Sequence, residues 1–502
     1  MKKYITLIMV AVCAATNAQN IDDVLRYSTD NLQGTARFQA MSGAFGALGG
    51  DLSSLNINPA GSAVFNNSQF TISGTNFHVK NENSYNGSNP FNTTENNFDI
   101  NQIGGVFVFN NSDPNAKWKK FSIGLNFDKV QSFDNYINAN YTTTQGIDNY
   151  FLSFAEGLPL GPLKLQDGEF TEEAYLDIGS SLGFVEQQAF LGIFGGVIDA
   201  VDPDNDNNTA YISTSEYASV SQNYRKISTG YNDKYTFNMA SQYEDNLYVG
   251  ASINVHSIFL DQLTELTENG YDANSQVQFT TFDNLLRSRG NAFSFSLGAI
   301  AKVNNSVRLG GSYQSPTWYR ISDEFSQRIN STIADEDIGF INFNLINAYD
   351  KYTIKTPGKV TGSLALVFGK DGLLSLDYGY QDMSNAELRP DSDPAFAAEN
   401  NYISNQLQAV SSVRLGGEYR IKQVSLRAGY RYEQSPYENN VIGDLNGISG
   451  GLGYNFGPSK LDLAVNSYSQ DRNATILSTD PTANLNSDNT NTNVTLSYTL
   501  NF

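Results

Sequence analysis

The sequence predicts an all-β fold: an antiparallel transmembrane β-barrel of about 14 strands plugged by a short N-terminal hatch. Three observations predict it. The chain opens on an export leader, it alternates with period two along most of its length, and it sorts its connections into short turns and long polar loops.

The first element is the leader, residues 1–18. Lys2 and Lys3 form a positive start, Ile5 to Ala15 an apolar run, and small residues end at Ala18. This is a secretory signal, too short to span a bilayer. Cys13 is the only cysteine and lies within it, preceded by Val12 where lipidation would require a small residue. The mature chain therefore has neither a disulfide framework nor a thiolate metal site. No other segment holds an apolar run of about 18 residues, which excludes a helical membrane protein. The formal net charge of −21 leaves no basic excess for nucleic acid. Only 17% of residues are charged while 12% are aromatic, a mixture that suits strands with one polar and one apolar face.

The strands occupy residues 67–502. The last one, "NVTLSYTLNF", puts Val494, Leu496, Tyr498, Leu500 and Phe502 on one face and Thr495, Ser497, Thr499 and Asn501 on the other. One face suits lipid and the other a polar lumen. The same alternation recurs at Phe121/Ile123/Leu125/Phe127, Leu247/Val249/Ala251/Ile253/Val255, Phe293/Phe295/Leu297, Leu374/Leu376/Tyr378/Tyr380 and Leu461/Leu463/Val465, among others. Between them lie turns such as "EDN", "NN", "GKDG", "KQ" and "GPS". The alternate connections read as long loops, from about a dozen residues upward, beyond ordinary loop lengths. Short turns on one side and long loops on the other are the outer-membrane asymmetry. The longest loop, about 134–223, carries the apolar stretches "IDNYFLSFAEGLPLGPLKL" and "SSLGFVEQQAFLGIFGGVI". It reads either as a cap packed on itself and the rim, or as a lid with an apolar landing groove.

Residues 19–66 precede the first strand. "NIDDVLRYS" has Asn20 as a cap, Asp22 and Asp23 in a first turn, and Ile21, Val24 and Leu25 on one face, which predicts a short helix. From Asn31 to Asn67 the only charged residues are Arg37 and Asp51. A segment so small and apolar must be buried, and the lumen is the place that can bury it. "ARFQAMSGAFGALGGDLSSLNINPAG", a Gly/Ala-rich run followed by Asp51 and Asn58-Pro59-Ala60, resembles the FadL/OmpP1/TodX family of outer-membrane transporters of hydrophobic compounds. The resemblance implies a hatch-plugged barrel without catalytic function. It implies passive transport of long-chain fatty acids or other hydrophobic compounds, with lateral release through an inward bend of the third strand. The hatch residues expected to move are Arg37, Phe38, Phe45, Asp51, Asn58, Pro59 and Ala60.

The third strand departs from the family pattern, which often has glycine at the bend. Here the comparable place holds Asn126, Phe127 and Asp128, with Gly124 nearby. A change of parity around Gly74, from Phe70/Ile72 to Phe77/Val79, suggests a bulge in the first strand. These positions are the candidate wall opening. No Gly-x-Ser-x-Gly elbow supports a hydrolase. His78 and His256, the only histidines, leave a haemin receptor as one alternative function. A barrel that anchors partner proteins in a secretion or surface-attachment assembly is another. Asp202, Asp204 and Asp206 alternate as calcium ligands would, but an EF-hand would also need glycine at Asn207 and a carboxylate at Ser213. No metal or cofactor is expected. The expected partners are a hydrophobic small molecule and the surrounding outer-membrane lipid and lipopolysaccharide.

Overall fold

The computed structural model describes residues 20–29, 31–86, 90–439, 441–476 and 484–502, so the leader at 1–18 lies outside the described residues. Fourteen antiparallel strands close into a barrel. They are β1 (Gln69–Tyr85), β2 (Phe91–Asn110), β3 (Trp118–Ser132), β4 (Val220–Tyr243), β5 (Leu247–Asn269), β6 (Phe279–Lys302) and β7 (Val307–Gln314). The second half comprises β8 (Lys359–Phe368), β9 (Gly372–Asp382), β10 (Ala409–Ile421), β11 (Val424–Glu433), β12 (Leu445–Asn455), β13 (Ser459–Thr475) and β14 (Asn484–Asn501).

The period-two pattern sets both faces. Leu496 is 51% exposed, Leu297 50% and Leu452 54%, all on the outer wall. Such exposure would drive aggregation in water, and here it is the lipid face. The alternate residues are small hydroxyls that bond across the lumen face. The barrel closes between β1 and β14 through Thr71–Thr499 (3.1 Å), Ser73–Ser497 (2.7 Å) and Thr75–Thr495 (2.8 Å).

The strands reach further than the alternation predicts. The connection expected to be a long loop between the first two strands is short, because β1 continues to Tyr85 and β2 begins at Phe91. β5 likewise runs on to Asn269 and β6 starts at Phe279. Above the membrane both wall faces meet polar surroundings, so the sheet loses its apolar phase and looks like a loop in sequence. Two wall strands are interrupted. β3 is followed by Asn135–Thr143, which pairs with β4, and β7 by Trp318–Ser331, which pairs with β6.

The described hatch residues, 20–29 and 31–66, lie inside the barrel. Helix α1 (Ile21–Ser28) starts on a capping box, with Asn20 Oδ1 accepting from the Asp22 amide at 2.9 Å and Asp23 Oδ2 from the Asn20 amide at 3.1 Å. Helix α2 (Ala36–Ala40) and two 3₁₀ turns, Leu52–Asn56 and Pro59–Val64, complete it. On the far side from the short turns, α3 (Ile147–Ala155), α4 (Thr171–Ser181) and α5 (Phe184–Phe194) form a cap. Phe151, Tyr175 and Phe190 are its buried centre, and Phe151 meets the wall residue Phe282 at 5.1 Å between ring centroids. The cap thus packs on itself and on the rim. A last helix, α6 (Pro394–Gln406), lies in the connection between β9 and β10.

Candidate functional site

Seven hatch residues singled out in the sequence come together in the lumen. Arg37, on α2, donates from Nε to Glu418 Oε2 of β10 at 2.8 Å and from Nη1 to the Gly50 carbonyl at 3.3 Å. Its guanidinium lies 5.1 Å from the Phe45 ring centre. Phe45 in turn packs on Phe38, with centroids 5.4 Å apart. Asp51 caps the first 3₁₀ turn, accepting from the Ser53 amide at 3.0 Å and the Thr35 hydroxyl at 2.8 Å. Burial pushes its carboxyl above the usual carboxylate range, against the pull of Arg37 at 4.0 Å.

The Asn58-Pro59-Ala60 turn fastens the hatch to the wall. Asn58 Oδ1 accepts from the Ala60 amide at 3.1 Å. Its Nδ2 donates to the Gly46 carbonyl at 2.8 Å and to Ala299 of β6 at 3.0 Å. Pro59 opens the second 3₁₀ turn, where its missing N–H costs nothing, and its carbonyl accepts from Asn238 of β4 at 2.9 Å. The turn lies on a glycine window in the wall. A Cβ at Gly298 would sit 2.0 Å from Asn58 Oδ1, and one at Gly250 would sit 2.5 Å from the Pro59 carbonyl oxygen. Asn58→Ala is expected to loosen the hatch by about 1–3 kcal/mol through its lost hydrogen bonds. Faster amide exchange over residues 46–60, with unchanged exchange in the wall, would show it.

The wall residues singled out in the sequence lie around a seam. β2 and β3 pair up to Gln102↔Asp128 and no further. Asn126 and Phe127 belong to the regular ladder, and Gly124 faces the hatch, where an added Cβ would meet Leu55 at 3.1 Å. The third strand departs just beyond, where Lys129 pairs with Asp233 and Gln131 with Asn232, leaving Val130 as an extra residue. The irregularity near Gly74 belongs to β2. β1 runs unbroken along β14, whereas Ser73↔Gln102 is followed by Gly74↔Ile100, so Asn101 is the extra residue. Phe77 and Val79 therefore mark no parity change in β1.

Above Gln102 and Asp128, β2 pairs only with β1, and Asn135–Thr143 pairs only with β4. Side chains alone bridge the seam. From β2, Thr93 Oγ1 donates to the Tyr136 carbonyl at 2.5 Å, Asn97 Nδ2 donates to Asp134 Oδ2 at 2.5 Å, and Asp99 forms an ion pair with Lys129; Asn81 of β1 reaches the same Tyr136 carbonyl at 2.9 Å. Asn81 and Asn83 are buried, and both bond to the Asn135–Thr143 segment, so the third strand has turned inward. Behind the seam a cavity of about 40 Å³ is lined by Leu32, Phe38, Ile57 and Val130, with Asp128 and Arg414 among its polar residues.

The hatch also touches both ends of this machinery. Gln131, at the bulge, donates to the Arg26 carbonyl of α1 at 2.9 Å, and the Ile21 amide of α1 donates to Glu399 of α6 at 2.7 Å. Asn101 donates to the Gly34 carbonyl at 2.9 Å. Sequence reasoning missed Glu418, Arg427 and Arg414. A charged residue in the lumen phase of a membrane-depth strand is the signal that finds them.

The remaining candidates do not converge. His78 bonds Asn96 at 2.7 Å on the outer side of β1, whereas His256 is buried in the lumen against Asn232 (3.0 Å) and Tyr319. Asp206 pairs with Lys164 at 2.7 Å in the cap. Among the described residues no group of three metal-binding side chains forms.

A closed antiparallel barrel with an apolar outer face and its N-terminal segment packed inside defines an outer-membrane β-barrel protein. The chain belongs to the family described as outer membrane protein transport protein (OMPP1/FadL/TodX), which it matches over residues 7–502. Its fold is similar to the crystal structure of a Pseudomonas aeruginosa FadL homologue, at 13% identity and a TM-score of 0.53, covering 95% of this chain and 100% of that one. A deletion mutant of the TodX monoaromatic hydrocarbon channel gives 12% identity and a TM-score of 0.50, covering 93% and 99%. The Pseudomonas putida toluene transporter TodX gives 14% and 0.49, covering 95% and 100%. No curated protein matches the chain. The protein is an outer-membrane transporter of hydrophobic compounds, and the family and its structural neighbours are transport channels, not enzymes.

Proposed function

We propose that this transporter carries long-chain fatty acids or similar amphiphiles with an anionic head. They reach the cavity behind the seam and leave sideways into the bilayer. The cavity carries this reading. At about 40 Å³ it has room for the head of such a ligand and not its tail: Lys234 and Arg414 line it beside Asp128, and the apolar residues Leu32, Phe38, Ile57 and Val130 border it where the first methylenes would follow. Arg414 is 9% exposed and its Nε meets no acceptor among the described residues. A neutral hydrocarbon would leave that donor unsatisfied, at a cost; a carboxylate satisfies it with a charge-assisted bond. The seam supports lateral release, because only side chains need part there and no backbone ladder is broken.

Two measurements test the reading. Organic extracts of the natively purified barrel should be enriched in fatty acid relative to another barrel in the same detergent. The Lys234→Ala/Arg414→Ala pair should weaken binding of a long-chain carboxylate by about tenfold or more while leaving a neutral hydrocarbon unaffected. An extract holding only neutral hydrocarbon, or equal loss for both ligands, would replace the carboxylate by an uncharged substrate.

A further inference from the structure

The outer wall carries a cation cluster that transport does not use. Val255, Phe293 and Trp318 form one outward row across β5, β6 and Trp318–Ser331. The next outward row towards the cap reads Ser257, Asn291, Arg320, Thr353 and Arg389 across five registered segments. Above it, Phe259, Arg289 and Ser322 form a third row. Successive outward residues rise about 7 Å, so Arg320 and Arg389 sit one step above the apolar row and Arg289 two steps above.

This height is that of lipid headgroups on the cap side of the membrane. The short turns mark the periplasmic side, so the headgroups belong to the outer leaflet. Two of the cations there, Arg289 and Arg320, are uncompensated. Glu387 bridges Lys355 and Arg389 at 3.1 and 2.8 Å, and Asp391 lies near Arg389 as well. Arg289 lies 5.3 Å from the Phe259 ring centre, and neither Arg289 nor Arg320 forms an ion pair among the described residues; the nearest acids up the wall, Asp261 and Glu324, flank Arg287 one step above Arg289. The chain as a whole carries −21, so a local excess of positive charge at this one height is not a matter of net charge.

We infer that Arg289, Arg320 and the Lys355–Glu387–Arg389 group bind the phosphates of an outer-leaflet glycolipid. Guanidinium groups match phosphate oxygens two at a time, and the apolar row beneath receives the acyl chains. Neighbouring strands lie about 4.8 Å apart, so Arg320 and Arg389, two strands apart, can hold separate oxygens of one headgroup. Bound lipid would brace the wall beside the interruption that precedes Trp318, where the β6–β7 ladder gives way to a new segment.

The test is native mass spectrometry of the full-length barrel with three lipids: diphosphorylated lipid A, the same lipid dephosphorylated, and phosphatidylglycerol. Diphosphorylated lipid A should bind best. Arg289→Gln/Arg320→Gln should weaken it roughly tenfold to thirtyfold, the scale of two interfacial cations. Arg289→Lys/Arg320→Lys should restore most of the binding. Arg225→Gln, which removes a cation paired with Glu265 at 3.1 Å higher on the wall, should change nothing. Folding of each variant is checked by its heat-modifiable gel mobility. Equal binding by wild type and the double glutamine variant overturns the proposal. So does an equal loss in Arg225→Gln, or phosphatidylglycerol binding as tightly as lipid A.

Discussion

Glu418→Ala is expected to open the barrel to small polar solutes. The Glu418 side chain is fully buried and meets three guanidiniums: Arg37 of the hatch at 2.8 Å, Arg427 at 2.6 Å, and Arg420. Arg427 also holds Asp462 at 2.6 Å. Removing the carboxylate leaves these cations crowded in the lumen with Asp462 and the more distant Asp51. Breaking a buried ion pair from one side costs about 3–5 kcal/mol, because the remaining charge is stranded. The hatch can relieve this by moving Arg37 away, whereas Arg420 and Arg427 are fixed in the wall ladder. Unseating of the hatch is therefore the expected response. In planar bilayers the variant should conduct where the parent is closed, and cells carrying it should become sensitive to large hydrophilic antibiotics. A closed, correctly inserted variant would mean that the hatch is a static filling.

Much of this was legible in the sequence, for definite physical reasons. Lipid against one face and polar lumen against the other force period two, so Val494 to Leu500 show their wall position directly. The hatch was legible because thirty-odd nearly uncharged residues cannot sit in the periplasm, a matter of burial alone. The upper wall was not legible. Residues such as Asn92, Thr94 and Asn96 of β2 face polar surroundings on both sides, so their strand carries no apolar phase. The seam was only half legible. A break in pairing depends on where two strands stop matching, and neither Val130 nor Asn101 is unusual as a residue. Glycine at a bend would have been a local signal; here the extra residue in each strand makes the irregularity instead.

The hatch, the seam and α6 form one connected path. Glu399 of α6 holds the start of α1, Gln131 at the third-strand bulge holds its end, and Asn101 at the second-strand bulge holds Gly34. A ligand that displaced α1 would therefore act on the strand that lines the seam. The cavity behind the seam is itself half built from hatch residues, Leu32, Phe38 and Ile57, against wall residues such as Val130. Moving the hatch does not uncover a binding site; it takes one apart.

That dependence gives Gly298→Val a distinct signature. Gly250 and Gly298 are paired across β5 and β6, and together they leave the flat patch of wall on which Asn58 and Pro59 rest. Any Cβ at 298 would collide with Asn58 Oδ1 at 2.0 Å, and valine adds two more carbons. Overpacking of this kind costs about 1–3 kcal/mol where the neighbours can shift. The wall cannot shift without losing its ladder, so the hatch must. The Asn58 bonds to Gly46 and Ala299 are then lost as well, and the hatch residues that line the cavity move with it. The expected result is a folded barrel with a protease-sensitive hatch, raised conductance and lost ligand binding, all three together. Gly311→Val is the matched control: Gly311 faces outward on β7 with nothing within 4 Å of an added Cβ, and valine there only extends the lipid face. If Gly298→Val kept its ligand while the hatch became protease-sensitive, the cavity would have to be held by the wall alone. If it kept both, the window would be wider than the 2.0 Å approach allows.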